Sequence, residues 1–122
     1  MSTLVLGYDG SPSANAALAK TIEVAPVLGA SVVVVFGYYL SPLGGGDVRD
    51  FKERLESIAA HEVARAVADL VGAGIETSSR ILTIKPAEAI LAGADEGGAA
   101  MIVVGTVGES PISGAILGSV VL

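Results

Sequence analysis

An open parallel α/β sheet with helices on both faces is the fold this sequence predicts, and three observations predict it. Short apolar runs rich in strand formers alternate with stretches whose apolar residues recur every three or four positions, the order of a chain that crosses back over a parallel sheet. One run, Ser31-Val32-Val33-Val34-Val35-Phe36, is continuous, β-branched and uncharged, as an inner strand covered on both faces must be. A glycine-rich stretch, Gly105 to Ser119, directly follows the apolar run Met101-Ile102-Val103-Val104. A loop of this kind at the carboxyl end of a strand is the usual ligand position in such a sheet.

The elements follow in order. Leu4 to Tyr8 forms the first strand and ends in Asp9-Gly10-Ser11-Pro12-Ser13, a turn-forming segment. Pro12 suits a first helical turn and Ser11 suits its N-cap. From Ala14 to Leu28 the residues Ala17, Leu18, Ile22, Ala25 and Leu28 keep helical spacing. Pro26 removes a hydrogen bond, so the last turn is expected to kink or release before Gly29. After the strand from Ser31 to Phe36, Gly37 to Gly46 reads as a loop with three consecutive glycines, and Asp47 is a candidate cap. Phe51, Leu55, Ile58, Val63, Ala66, Val67, Leu70 and Val71 then describe one amphipathic helix, stopped by Gly72 and Gly74. Ile75 to Thr83 is polar enough to be an edge strand. Pro86 opens a third helix that Gly97-Gly98 closes, and Met101 to Val104 is a fourth strand.

Bulk properties narrow the function. With 122 residues, 52% hydrophobic and 16% charged, residues 1–122 form one domain with a substantial core. The net charge of −6, with seven Lys and Arg in all and no cluster of them, argues against nucleic-acid binding. Cysteine is absent, so no disulfide, thiolate metal site or thiol nucleophile is available. No apolar run approaches the roughly 18 residues of a membrane span, and the N-terminus lacks the pattern of a signal peptide. A cytoplasmic location without membrane attachment is the expectation.

Were the first and fourth strands neighbours, their carboxyl ends would set Asp9-Gly10-Ser11 beside the glycine-rich loop. Asp9 could then accept hydrogen bonds from ribose hydroxyls, the loop amides could surround phosphates, and Ser119 could add a hydroxyl. Each residue also has a plain structural role: Asp9 as a turn carboxylate, Ser11 as an N-cap, Gly105 and Gly118 as packing glycines. His61 reads as solvent-exposed, and Lys85 as a surface lysine. The acidic residues Asp47, Asp50, Glu53 and Glu56 read as a solvated helix face rather than a metal site. No catalytic residue is assigned. There is no Walker lysine motif, no nucleophile motif for a triad, and only one of the acidic residues of a phosphorylated receiver domain.

Gly105, Gly108, Gly118 and Ser119 keep the spacing Gly, two residues, Gly, nine residues, Gly-Ser that is the nucleotide-binding signature of the universal stress protein family. Val5 to Ser11 resembles that family's first strand and Asp-Gly-Ser turn, Pro86 to Ile90 its third helix start, and Ile102 to Gly105 its fourth strand. The resemblance runs over essentially the whole chain. It implies the universal stress protein and adenine nucleotide alpha hydrolase-like fold, a homodimer, and a stress-response or regulatory module that binds ATP with or without Mg²⁺. The site residues it implies are Tyr8, Asp9, Gly10, Ser11, Gly37, Tyr38, Val104, Gly105, Thr106, Gly108, Gly118, Ser119 and Val120. Gly37 and Tyr38 fall where the family lines its adenine pocket. Hydrolysis is expected to be slow or absent.

Two features depart from the family pattern. Glu109 stands where small or basic residues are common, and a carboxylate there repels phosphates unless it faces away or holds Mg²⁺. This favours an alternative, a dimerisation or interaction module that works without nucleotide. The sequence also stops at Val120-Val121-Leu122, so the family's C-terminal strand is expected to be missing.

Overall fold

The computed structural model describes residues 2–38, 48–105 and 120–121. Four strands run parallel: β1 (Thr3–Gly7), β2 (Ser31–Gly37), β3 (Thr77–Leu82) and β4 (Met101–Val103). A two-residue strand, β5 (Val120–Val121), pairs antiparallel with β4. The helices are α1 (Pro12–Leu28), α2 (Val48–Gly72) and α3 (Pro86–Gly97). The sheet order is β3-β2-β1-β4-β5, so the chain first winds outward from β1 through β2 to β3 and then returns to β1's other side. That reversal puts a topological switch point between β1 and β2 on one side and β4 on the other.

Side-chain alternation divides the core in two. Leu4, Leu6, Val32, Val34 and Val103 are buried with Ala14, Ala17, Leu18 and Ala25 of α1 and Val63, Ala66 and Leu70 of α2. The intervening positions Val5 and Val35 are buried with Ala89 and Ile90 of α3 and with Val104. Thus α1 and α2 cover one face and α3 covers part of the other. Thr21 is fully buried, and its hydroxyl donates to the Ala17 carbonyl at 2.8 Å, which removes the cost of an unpaired polar atom.

Helix ends follow local chemistry. Ser11 caps α1 by accepting from the Ala14 N–H at 3.1 Å, and Pro12 takes the first turn, as their residue types predict. At the other end α1 continues through Pro26 to Leu28 instead of releasing there. Pro26 is exposed, so the carbonyl it leaves unpaired can meet water. Gly29 at φ 61° and Gly98 at φ 59° close α1 and α3 in the left-handed conformation that suits glycine. β3 is the polar edge strand, and it begins at Thr77 rather than Ile75, whose side chain is buried against the α1 and α2 side. His61 is exposed, as expected.

Candidate functional site

The carboxyl ends of β1 and β2 and the residues that follow β4 surround a cleft of about 190 Å³, open on one side. Gly7, Tyr8 and Asp9 form one wall with Ser11, Ser13 and Ala14 from the start of α1. Val35, Gly37, Pro86 and Ile90 form another, and Val104 and Gly105 complete it. Two helices therefore begin at this cleft. Within α1, Pro12 has no N–H and Ser11 Oγ takes the Ala14 N–H, which leaves the Ser13 N–H without an acceptor in its own helix.

Glycines let these elements meet. A Cβ on Gly37 would stand 2.6 Å from Ala89 Cβ and 2.9 Å from Pro86 Cα, so α3 starts directly against β2. A Cβ on Gly105 would stand 2.7 Å from Ser13 Oγ and 2.8 Å from the Ser13 carbonyl carbon, so the end of β4 presses on the first turn of α1. Both contacts draw helix starts toward the cleft, with main chain as the lining.

Asp9 is exposed, and its Oδ1 accepts from the Ser11 N–H at 2.9 Å in an Asx turn. Ser11 is buried and spends its hydroxyl on the helix cap and on Ser13 Oγ at 3.2 Å. Gly10 turns at φ 81°, and the space a Cβ would need there is held by Glu62 Oε2 at 2.8 Å. Tyr8 contributes to the cleft wall but sends its ring into the core beside α1 and α2. Its hydroxyl donates to Asn15 Oδ1 at 2.6 Å and accepts from Arg65 at 3.3 Å. That hydrogen bond is the main cause that holds the Arg65 guanidinium above its ordinary pKa.

The structure thus gathers Tyr8, Asp9, Ser11, Gly37, Val104 and Gly105 on one cleft. Gly10 and Tyr38 do not line it. Tyr38 is buried, with its ring edge-on to Phe36 at 6.5 Å, and burial and then the Glu56 carboxylate push its pKa up. Strand parity explains the placement, because Tyr38 follows Val32, Val34 and Phe36 on the α1 and α2 side, whereas Gly37 follows Val33 and Val35 toward α3. Val120 belongs to β5 beside β4. Thr106, Gly108, Gly118 and Ser119, with Glu109 and the Asp47 cap, lie outside the described residues. Ser13, Ala14, Val35, Pro86 and Ile90 join the cleft without having been singled out in the sequence. The same parity rule and the proline at the start of α3 were the signals for them. Among the described residues no group of three or more His, Cys, Asp or Glu could hold a metal, and no helix is long and apolar enough to cross a membrane.

An open parallel sheet with a cleft at its switch point and two helices starting there defines a doubly wound α/β domain. The model of the universal stress protein family matches residues 1–121, and the chain belongs to that family. Among solved structures, it is similar to a universal stress protein family member from Burkholderia pseudomallei, at 25% identity and a TM-score of 0.78, covering 85% of this chain and 80% of that one. A universal stress protein from Archaeoglobus fulgidus is 29% identical with a TM-score of 0.68 over 92% of this chain and 80% of its own. A universal stress protein crystallised in complex with cAMP is 28% identical with a TM-score of 0.64, over 97% of this chain and 85% of its own. No curated protein sequence matches the chain.

Proposed function

We propose that the chain binds an adenine nucleotide in the cleft between the Asp9 turn and Gly105, as a regulatory module of its family. The observation that carries this reading is the cleft itself, which sits at the switch point, has a carboxylate at its mouth and is walled by main chain at Gly7, Gly37 and Gly105. Asp9 would accept from ribose hydroxyls through the oxygen that the Asx turn leaves free. The apolar wall of Val35, Ile90 and Val104 suits a flat heterocycle, and a site of few polar groups on an apolar surface is the usual form of a small-molecule pocket. Gly108, Gly118 and Ser119, by their spacing, would hold the phosphates with Thr106 and the Val120 main chain nearby. The relative in complex with cAMP supports an adenine nucleotide as the ligand class.

ATP, with or without Mg²⁺, is the nucleotide proposed, acting on a homodimer in the cytoplasm during stress. Glu109 in the phosphate loop favours the second reading, an interaction module independent of nucleotide. Calorimetric titration with ATP, AMP and cAMP, with and without Mg²⁺, separates the two. Heat release and mass analysis of the purified protein would reveal a nucleotide already carried. Saturable binding of an adenine nucleotide is expected. No heat at millimolar nucleotide, from a nucleotide-free sample whose assembly ignores ATP, leaves only the interaction module.

A further inference from the structure

On α2, outside the cleft, Arg65 reaches back to the turn that carries Asp9. Its guanidinium donates to Tyr8 Oη and to Asn15 Oδ1, both at 3.3 Å, and lies 3.9 Å from the Glu62 carboxylate. Tyr8 Oη is itself bonded to Asn15 Oδ1, and Asn15 Nδ2 donates to the Gly10 carbonyl at 3.5 Å. Asp9 thus stands between two residues, Tyr8 and Gly10, that this network fixes. The contact between Gly10 and Glu62 shows that α2 abuts the turn directly. Arg65 does not line the cleft, and its Nη2 is already engaged by Tyr8 and Asn15. A helix that lends the cleft no lining residue is thus bonded to the turn that carries the cleft's carboxylate.

Resting on the proposed nucleotide site, we infer that Arg65 is a positioning residue for nucleotide binding, acting through Tyr8 and Asn15 on the Asp9 turn. Arg65→Met keeps the side-chain stem and removes the donors. It should weaken adenosine and AMP by a similar factor, about fivefold, the scale of a charge-assisted hydrogen bond discounted for a half-exposed side chain. The Gly10 and Ser11 amide resonances of the ligand-free protein should shift with it. Asn15→Ala breaks the same brace from α1 and should repeat both effects, which keeps the test open were Arg65→Met to unfold.

Unchanged affinity for both ligands, or unmoved turn amides, overturns the inference. A loss confined to AMP also overturns it, since that would mark a direct attraction between Arg65 and phosphate. A wild-type chain that gives no heat with either ligand removes the nucleotide site itself, an outcome distinct from a wild type and variant that bind alike.

Discussion

Replacing Gly37 by alanine probes the contact that sets α3 against the sheet. The added Cβ meets Ala89 Cβ at 2.6 Å, Pro86 Cα at 2.9 Å and the Ile84 carbonyl oxygen at 3.1 Å. None of these atoms is the tip of a side chain that could rotate away, so the start of α3 must move. Overpacking of this kind costs about 1–3 kcal/mol, and the stiffer unfolded chain returns about 0.4–1 kcal/mol. The net loss is about 1.5 kcal/mol, which at this chain length lowers Tm by about 5 °C. Ala89→Gly removes the shortest contact and costs about 1 kcal/mol by itself as a glycine inside a helix. Combined, the two changes should be less destabilising than their sum by about 0.5–1 kcal/mol. Circular dichroism melts and urea titrations of the four proteins measure this cycle. A Gly37→Ala Tm within 1 °C of wild type, or a cycle that sums with no coupling, would refute the close approach of β2 and α3.

Ser11→Ala removes the acceptor for the Ala14 N–H, and urea unfolding should show a loss of about 1 kcal/mol. Tyr38 has its pKa raised above 10.0, first by burial and then by Glu56, so the folded state holds the phenolic proton longer than the unfolded chain does. Its contribution is intact below pH 10.0 and lost as pH climbs toward the folded value, so urea midpoints of the wild type should fall more steeply above pH 10.0 than those of Tyr38→Phe. The Arg80–Glu96 pair joins β3 to the end of α3 with both side chains well exposed, so Arg80→Gln should change stability by less than about 1 kcal/mol. A larger loss in the melting curve would show that the pair holds the sheet edge.

The succession of strands and helices was legible because each element carries its own period. Val32 to Val35 can only be an inner strand, and Ser11-Pro12 and Gly98 mark helix limits by chemistry confined to a few residues. The extent of α1 was less so, since the tolerance of Pro26 depends on its exposure, which is a property of packing. The two-residue pairing of β5 was not foreseen either, because two residues carry no period. At the cleft, Asp9 and Gly105 were named from their turn and loop context and Gly37 from the family resemblance, but the pairing of a face with a helix was not read from strand parity. The resemblance brought Tyr38 into the expected lining beside Gly37, and parity would have removed it and added Ile90. The Tyr8, Asn15 and Arg65 network joins residues far apart in sequence, and no local pattern announces it.

The cleft has one property that bears on which anions can occupy it at all. No lysine or arginine is among its lining residues within the described part of the chain, and the sequence from 106 to 119 contains none. The chain as a whole carries a charge of −6. At distances beyond a Debye length of about 8 Å, an approaching polyanion meets weak net repulsion and gains nothing from the helix starts, whose dipoles act within a turn. For the nucleotide proposed above, capture would thus be left to contact, through hydrogen bonds made at the main-chain wall. High salt should then do little to release the proposed nucleotide.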